Sequence, residues 1–158
     1  MWRKLFLTAS LLLTGNVWAG ANDVIVDKIW MRESVPGQIS VTVQMNITVT
    51  KAARLMSVSS PVATSGQIQG VVMHRGKLRT EPIKSLALGA HSTTLFGTKG
   101  TYLSLVGLKQ ALNAGDHVPL VLVFESGGKS FTINKEAEVR PLELSYQHYN
   151  DPTVKDQR

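Results

Sequence analysis

Thioether sulfur and imidazole are the side-chain groups in this sequence with the clearest reach toward metal chemistry, and they come without thiol. Among 158 residues there are four histidines, at positions 74, 91, 117 and 148, five methionines and no cysteine. Thioether with imidazole is the soft donor set that suits Cu(I), so the placing of these residues decides whether such chemistry is open. Met45 alternates with apolar neighbours and Met56 sits in another apolar segment, so both read as core filler. Met73-His74 is the one adjacent soft pair. The alternation around it sends the two side chains to opposite faces, and they can grip one ion only across a bulge. His91 and His117 stand beside turn signals and read as surface groups, and no two histidines have the close spacing of a zinc or iron site.

Other chemistries find less support. Without cysteine there is no disulfide framework, no thiolate zinc site, no sulfur nucleophile and no lipid-bearing cysteine within these residues. No Gly-x-Ser-x-Gly elbow offers a serine nucleophile. The glycine-rich stretch Gly97-Thr98-Lys99-Gly100 precedes a strand pattern and not a helix, so it is a turn and not a phosphate cradle. A non-enzymatic protein is expected. The charge of +6, from 17 Lys plus Arg against 11 Asp plus Glu, includes Arg3 and Lys4 of the N-terminal segment. Without that segment 15 basic residues face 11 acidic ones, and no basic cluster with interleaved aromatics indicates nucleic acid.

The elements that must position these residues are strands. Residues 1–19 have Arg3 and Lys4, an apolar run from Leu5 to Leu13 and small residues before a cut after Ala19, the pattern of a cleavable signal peptide leading to the periplasm. No later segment approaches the roughly 20 apolar residues of a membrane span. From Ile39 to Val49 apolar and polar residues alternate strictly, Ile39, Val41, Val43, Met45, Ile47 and Val49 on one side, which predicts a half-buried strand. Shorter candidates are Val24 to Trp30, Leu55 to Ser59, Ile68 to His74, Leu78 to Ile83, Ser92 to Phe96, Thr101 to Val106, Val118 to Phe124 and Ser130 to Val139. Turn residues separate them, including Pro36-Gly37, Arg75-Gly76, Ala114-Gly115-Asp116 and the hairpin signal Gly127-Gly128. Pro119 marks a strand start or an edge. After Val139 the periodicity stops. The expectation is all-β: one antiparallel sandwich or Greek-key barrel over 20–139, followed by a flexible tail over 140–158.

The order of phrases then resembles a known family. Trp30-Met-Arg-Glu-Ser-Val-Pro-Gly37, Val58-Ser-Ser-Pro61, Gly107-Leu-Lys-Gln-Ala-Leu112 and Gly115-Asp-His-Val-Pro-Leu-Val-Leu-Val-Phe-Glu125 are similar to the periplasmic copper chaperones of the PCu(A)C family. The resemblance runs from about Val24 to Val139. It implies a cupredoxin-like β-sandwich, Cu(I) as cargo, and a role in supplying the CuA centre of cytochrome c oxidase, with a copper-handling or oxidase-assembly protein as partner.

The family's metal motif is a His, ten residues, a Met, twenty-one residues, a His, one residue and a Met. Ungapped counting from Ser59-Ser60-Pro61 and back from Gly107-Leu108-Lys109 gives one register, in which those positions hold Gln69, Thr80, Tyr102 and Ser104. Every imidazole and thioether is replaced by an amide, hydroxyl or phenol, groups a soft monovalent ion binds poorly. The resemblance therefore implies a carrier scaffold without metal ligands at the family site and without a resident cofactor. Two other readings stay open: a copper carrier with a relocated site at Met73 and His74, helped by His148 or by a second chain, and a sandwich that binds a small polar molecule at the four exchanged positions.

Overall fold

The computed structural model describes residues 21–97 and 100–142. After a 3-10 turn, Ala21–Asp23, the chain is all strand: β1 Val24–Arg32, β2 Ser40–Val49, β3 Ala53–Ser59, β4 Ala63–His74, β5 Lys77–Ile83, β6 Leu86–Leu88, β7 Ser92–Phe96, β8 Tyr102–Leu108, β9 His117–Ser126 and β10 Lys129–Arg140. All nine sequence-derived strands are present, and β6 is added. The proposed signal peptide over 1–19 and the tail beyond residue 142 lie outside the described residues. Within the expected tail, Arg140 still belongs to β10, and the Leu142 N–H donates to Glu33 Oε1 at 2.9 Å.

Alternation explains the architecture. In β2, Val41, Val43, Met45, Ile47 and Val49 are buried, while the residues between them face outward. The equivalent inward sets, Leu103 and Leu105 in β8 and Leu120, Leu122 and Phe124 in β9, close against it. Phe124 stacks on Phe131, ring centroids 5.7 Å apart. Strand order is β5-β4-β8-β2-β1-β10-β9-β3-β6, with β7 also on β2, so one continuous sheet folds over itself into two layers around this core. Neighbours pair antiparallel except β1 with β10, which run parallel and join the halves, a pairing the expected purely antiparallel sandwich lacks. The far ends of the sheet meet where β4 crosses β3: Gly66 packs so closely on Val58 that a Cβ there would overlap the Val58 carbonyl.

Three local departures matter. Ile39, expected inside, is 71% exposed because the strand begins one residue later; its carbonyl instead accepts the Gly107 and Leu108 N–H groups. A bulge in β1 between Asp27 and Trp30 shifts the side-chain parity, burying Met31 completely and turning Trp30 outward beside Gln44. A second irregularity, between Leu55 and Ser57 in β3, leaves Met56 half-buried and outside the core set. Pro119 sits near the start of β9, opposite Glu136 of β10 and beyond the last residue of β3. Its carbonyl accepts the Ser60 hydroxyl at 2.6 Å, so the backbone that β3 no longer reaches is satisfied by a side chain.

Candidate functional site

The register of β4 between β5 and β8 decides where the singled-out residues fall. Gln69 lies directly opposite Tyr102 of β8, and Gln67 opposite Ser104. On the other side of β4, Thr80 of β5 is opposite Val71. Side chains two residues apart share a face, and neither ladder contains a bulge, so Gln67, Gln69, Val71, Tyr102, Ser104 and Thr80 all occupy the outer face. Ile68, Leu103 and Leu105, between them in sequence, point into the core. Gln69 and Tyr102 are half-buried, Ser104 is buried and Thr80 is exposed.

The patch is neutral. Ser104 is also opposite Thr42 of β2, so the polar surface continues across β8 to Thr42 and Gln44. The turn between β7 and β8 approaches the same face: Gly97 packs against the Gln44 amide and Gly100 against Val71. Both glycines have positive φ, 94° and 80°, and the Gly97 N–H donates to the Thr101 carbonyl at 2.9 Å. Beyond Gln44 stands Trp30, with the guanidinium of Arg140 4.9 Å and that of Arg32 5.7 Å from its ring centroid, cation–π contacts that fix the ring over the β1–β10 junction. Sequence reasoning did not single out this cluster, because the bulge that aims Trp30 has no periodic signal.

Met73 and His74 do not converge. They are consecutive residues of the regular β4–β5 ladder, opposite Leu78 and Lys77, so their side chains leave on opposite faces, both exposed. The hairpin beyond them turns at Arg75 and Gly76, each with positive φ, the two-residue connection that matches strand twist. Among the described residues no three of His, Cys, Asp or Glu come together. His148 lies outside them.

Chemically, the outer face can offer hydrogen-bond donors and acceptors from amides, hydroxyls and one phenol. It has no nucleophile beside a base and no soft donor pair. Amide, hydroxyl and phenol groups suit polar ligands, and they are poor partners for a soft ion such as Cu(I).

Comparison with known proteins places this geometry. A family model described as "Putative lipoprotein LpqE-like" matches residues 24–134. "Putative lipoprotein Lxx21020" of Leifsonia xyli subsp. xyli is 28% identical over 111 residues, 70% of this chain and 67% of that protein. Among solved structures, the copper-bound PCuAC domain from PmoF2 superposes with a TM-score of 0.62 at 19% identity, over 76% of this chain and 94% of that domain. Apo-DR1885 from Deinococcus radiodurans gives 0.58 at 21% identity, over 90% and 95%. The Cu(I) form of DR1885 gives 0.54 at 22% identity, over 77% and 83%. The PCu(A)C resemblance carried by the sequence phrases thus holds for the fold, and by its sequence the chain belongs to the LpqE-like family.

Proposed function

We propose that this protein is an exported, non-enzymatic binding or assembly module: a copper-chaperone fold whose metal site has become a neutral polar recognition patch. One observation carries the reading. Gln69 and Tyr102 are cross-strand partners and Ser104 is the next outward residue of β8, so three positions expected to hold His, His and Met adjoin in space while offering none of those groups. Copper would be cargo here, and the donor set does not fit it: amide, phenol and hydroxyl are poor partners for Cu(I).

In this reading residues 1–19 are a leader cleaved after Ala19, residues 20–139 are the working domain in the periplasm and residues 140–158 are a tail. The partner is a copper-handling or oxidase-assembly protein, met through the outer face of β4 and β8. The lipoprotein names in the family suit an exported setting, although none of these 158 residues is a cysteine that could carry a thioether-linked lipid.

The test is a titration of the purified chain with Cu(I) against a chromophoric chelator. The expected result is no competition. Binding near one equivalent at sub-nanomolar affinity, abolished by changing Met73 and His74 together, would overturn the proposal in favour of a relocated copper site.

A further inference from the structure

Where β1 runs parallel to β10, four side chains form a block on the outer face. Trp30 lies beside Glu138 and Arg32 beside Arg140, while Met31 and Val139, between them in sequence, are buried. Like charges set directly side by side in a ladder repel. Here the pair is Arg32 and Arg140, and both guanidiniums rest against the Trp30 ring, 5.7 and 4.9 Å from its centroid. Stacking on an aromatic ring orients the planar fork of an arginine, so less freedom is lost when that fork makes its next hydrogen bonds. Two oriented forks therefore stand side by side.

The acids present do not use them up. Arg140 gives its Nε to Glu138 Oε2 at 3.1 Å, a pair half exposed on both sides, and its terminal N–H groups make no hydrogen bond among the described residues. Arg32 has no ion-pair partner among the described residues. Glu33, next along β1, lines the neighbouring hollow on the β2 side of Trp30, where its Oε1 accepts the Leu142 N–H. Beyond Glu138 stands His117 of β9, which adds no negative charge.

Trp30, Arg32, Glu138, Arg140 and Pro141 line a hollow of about 440 Å³. Two cations and one anion face it, so a single negative charge balances it. That favours a carboxylate over a doubly charged phosphate, and guanidiniums read a carboxylate through parallel N–H···O bonds. Trp30 and Pro141 supply apolar wall for the carbon skeleton beside the charge.

We propose that this hollow binds a monocarboxylate with an apolar stem, the carboxylate bridging Arg32 and Arg140 and the stem lying against Trp30 and Pro141. The site has β2 between it and the Gln69 and Tyr102 patch, and it does not depend on what that patch binds.

Trp30 reports on its own site once Trp2→Phe and Trp18→Phe remove the two other indoles from the full chain. Its fluorescence, excited beyond the absorption of tyrosine, is followed as N-acetyl-leucine is added. The expected result is a saturable change with a Kd of about 1 mM, and none with N-acetyl-leucinamide, which lacks the charge. Inorganic phosphate binds about tenfold more weakly than the acid. Arg32 and Arg140 are exposed, so their variants stay folded. Arg32→Gln and Arg140→Gln each raise the Kd about tenfold or more, and Arg32→Lys recovers only part of the loss because an ammonium has no fork. Arg54→Gln, on β3, leaves it unchanged. Midpoints are compared and not amplitudes, because a substitution beside the ring alters its emission by itself. A short acetylated peptide ending in leucine that binds tighter than N-acetyl-leucine assigns the carboxylate to a polypeptide end, and equal affinity assigns it to a free acid; both uphold the site. Equal responses to acid and amide, phosphate binding as tightly as the acid, a Kd unmoved by Arg32→Gln and Arg140→Gln, or no response at about 50 mM acid would each overturn the proposal.

Discussion

Restoring soft ligands to the outer face would separate what the fold permits from what the present side chains forbid. Four exchanges suggest themselves, Gln69→His, Thr80→Met, Tyr102→His and Ser104→Met, but the register predicts that only three matter. Gln69 and Tyr102 are cross-strand partners, with Cβ atoms about 5 Å apart. Ser104 lies two residues from Tyr102 on the same face, about 7 Å away at the rise of a strand. Thr80 is opposite Val71 and Ser104 opposite Gln67, so they stand two strands and four residues apart, about 17 Å at ordinary strand spacings. A thioether sulfur lies about 3 Å beyond its Cβ and bonds a soft metal at about 2.3 Å, so two methionines share an ion only when their Cβ atoms are within about 10 Å.

The triple variant at 69, 102 and 104 is therefore expected to bind one Cu(I), and adding Thr80→Met to improve affinity less than about tenfold, or about 1.4 kcal/mol. Ser104 is only 8% exposed, so its enlargement costs about 1–3 kcal/mol of overpacking. At roughly 2–4 °C per kcal/mol for a chain of this size, the metal-free variant melts about 2–12 °C below the parent. Cu(I) at a thousandfold excess over its Kd returns about 4 kcal/mol. Chelator competition measures the affinities and thermal melting the cost. A quadruple variant binding about 100-fold tighter than the triple would refute the β4–β5 register on which the distances rest. A folded triple variant indifferent to Cu(I) would refute the view that this patch occupies a metal site's place.

Two further outcomes follow from contacts already described. Gly66→Ala must drive its new methyl into the Val58 carbonyl where β4 crosses β3, backbone against backbone, so a loss of more than about 3 kcal/mol or failure to fold is expected in denaturant unfolding, whereas Gly115→Ala, with open space around it but φ of 93°, costs only about 1 kcal/mol of backbone strain. Asp23 accepts hydrogen bonds from Lys51 Nζ at 3.0 Å and Thr50 Oγ1 at 2.9 Å, which together hold its carboxyl below the ordinary 3.8. Its stabilising contribution is thus complete above pH 3.8 and fades as pH falls through the lower folded value; an NMR titration should find the midpoint below 3.8, and Lys51→Met should move it back up.

Much of the fold was readable because alternation is a local signal. It runs along most of β2 and β9, and of the ten described strands only Leu86–Leu88 was missed, being too short to display a period. The two misplaced residues have other causes. Ile39 continues the alternation but lies one residue before the ladder begins, and pattern alone cannot say where hydrogen bonding starts. Met56, read as core, depends on an irregularity in β3, and the one in β1 that turns Trp30 outward and Met31 inward has no composition signal either. The parallel pairing of β1 with β10 joins segments at opposite ends of the domain, information that no window of sequence contains. At the site, counting from two flanks put Gln69 and Tyr102 at positions that the ladder makes direct partners. The separation of Thr80 from Ser104 was not readable, because it depends on where the hairpin turns and hence on the positive φ values at Arg75 and Gly76.

The same register means that the side chains of the proposed patch can be exchanged while the sandwich persists. Gln69, Thr80 and Tyr102 face outward, and their sequence neighbours Ile68 and Leu103 face inward, so core packing and surface chemistry are set by alternate residues of the same strands. Exchanging imidazole for amide or phenol on the outer set removes no core volume. Ser104 is the exception, a buried hydroxyl on the outward side, held between Thr42 on β2 and Gln67 on β4. On the same face Gly97 packs on Gln44 and Gly100 on Val71. Val71 follows Gln69 on the outer face of β4 and precedes Met73, so on that face the polar side chains give way to apolar ones along the same strand.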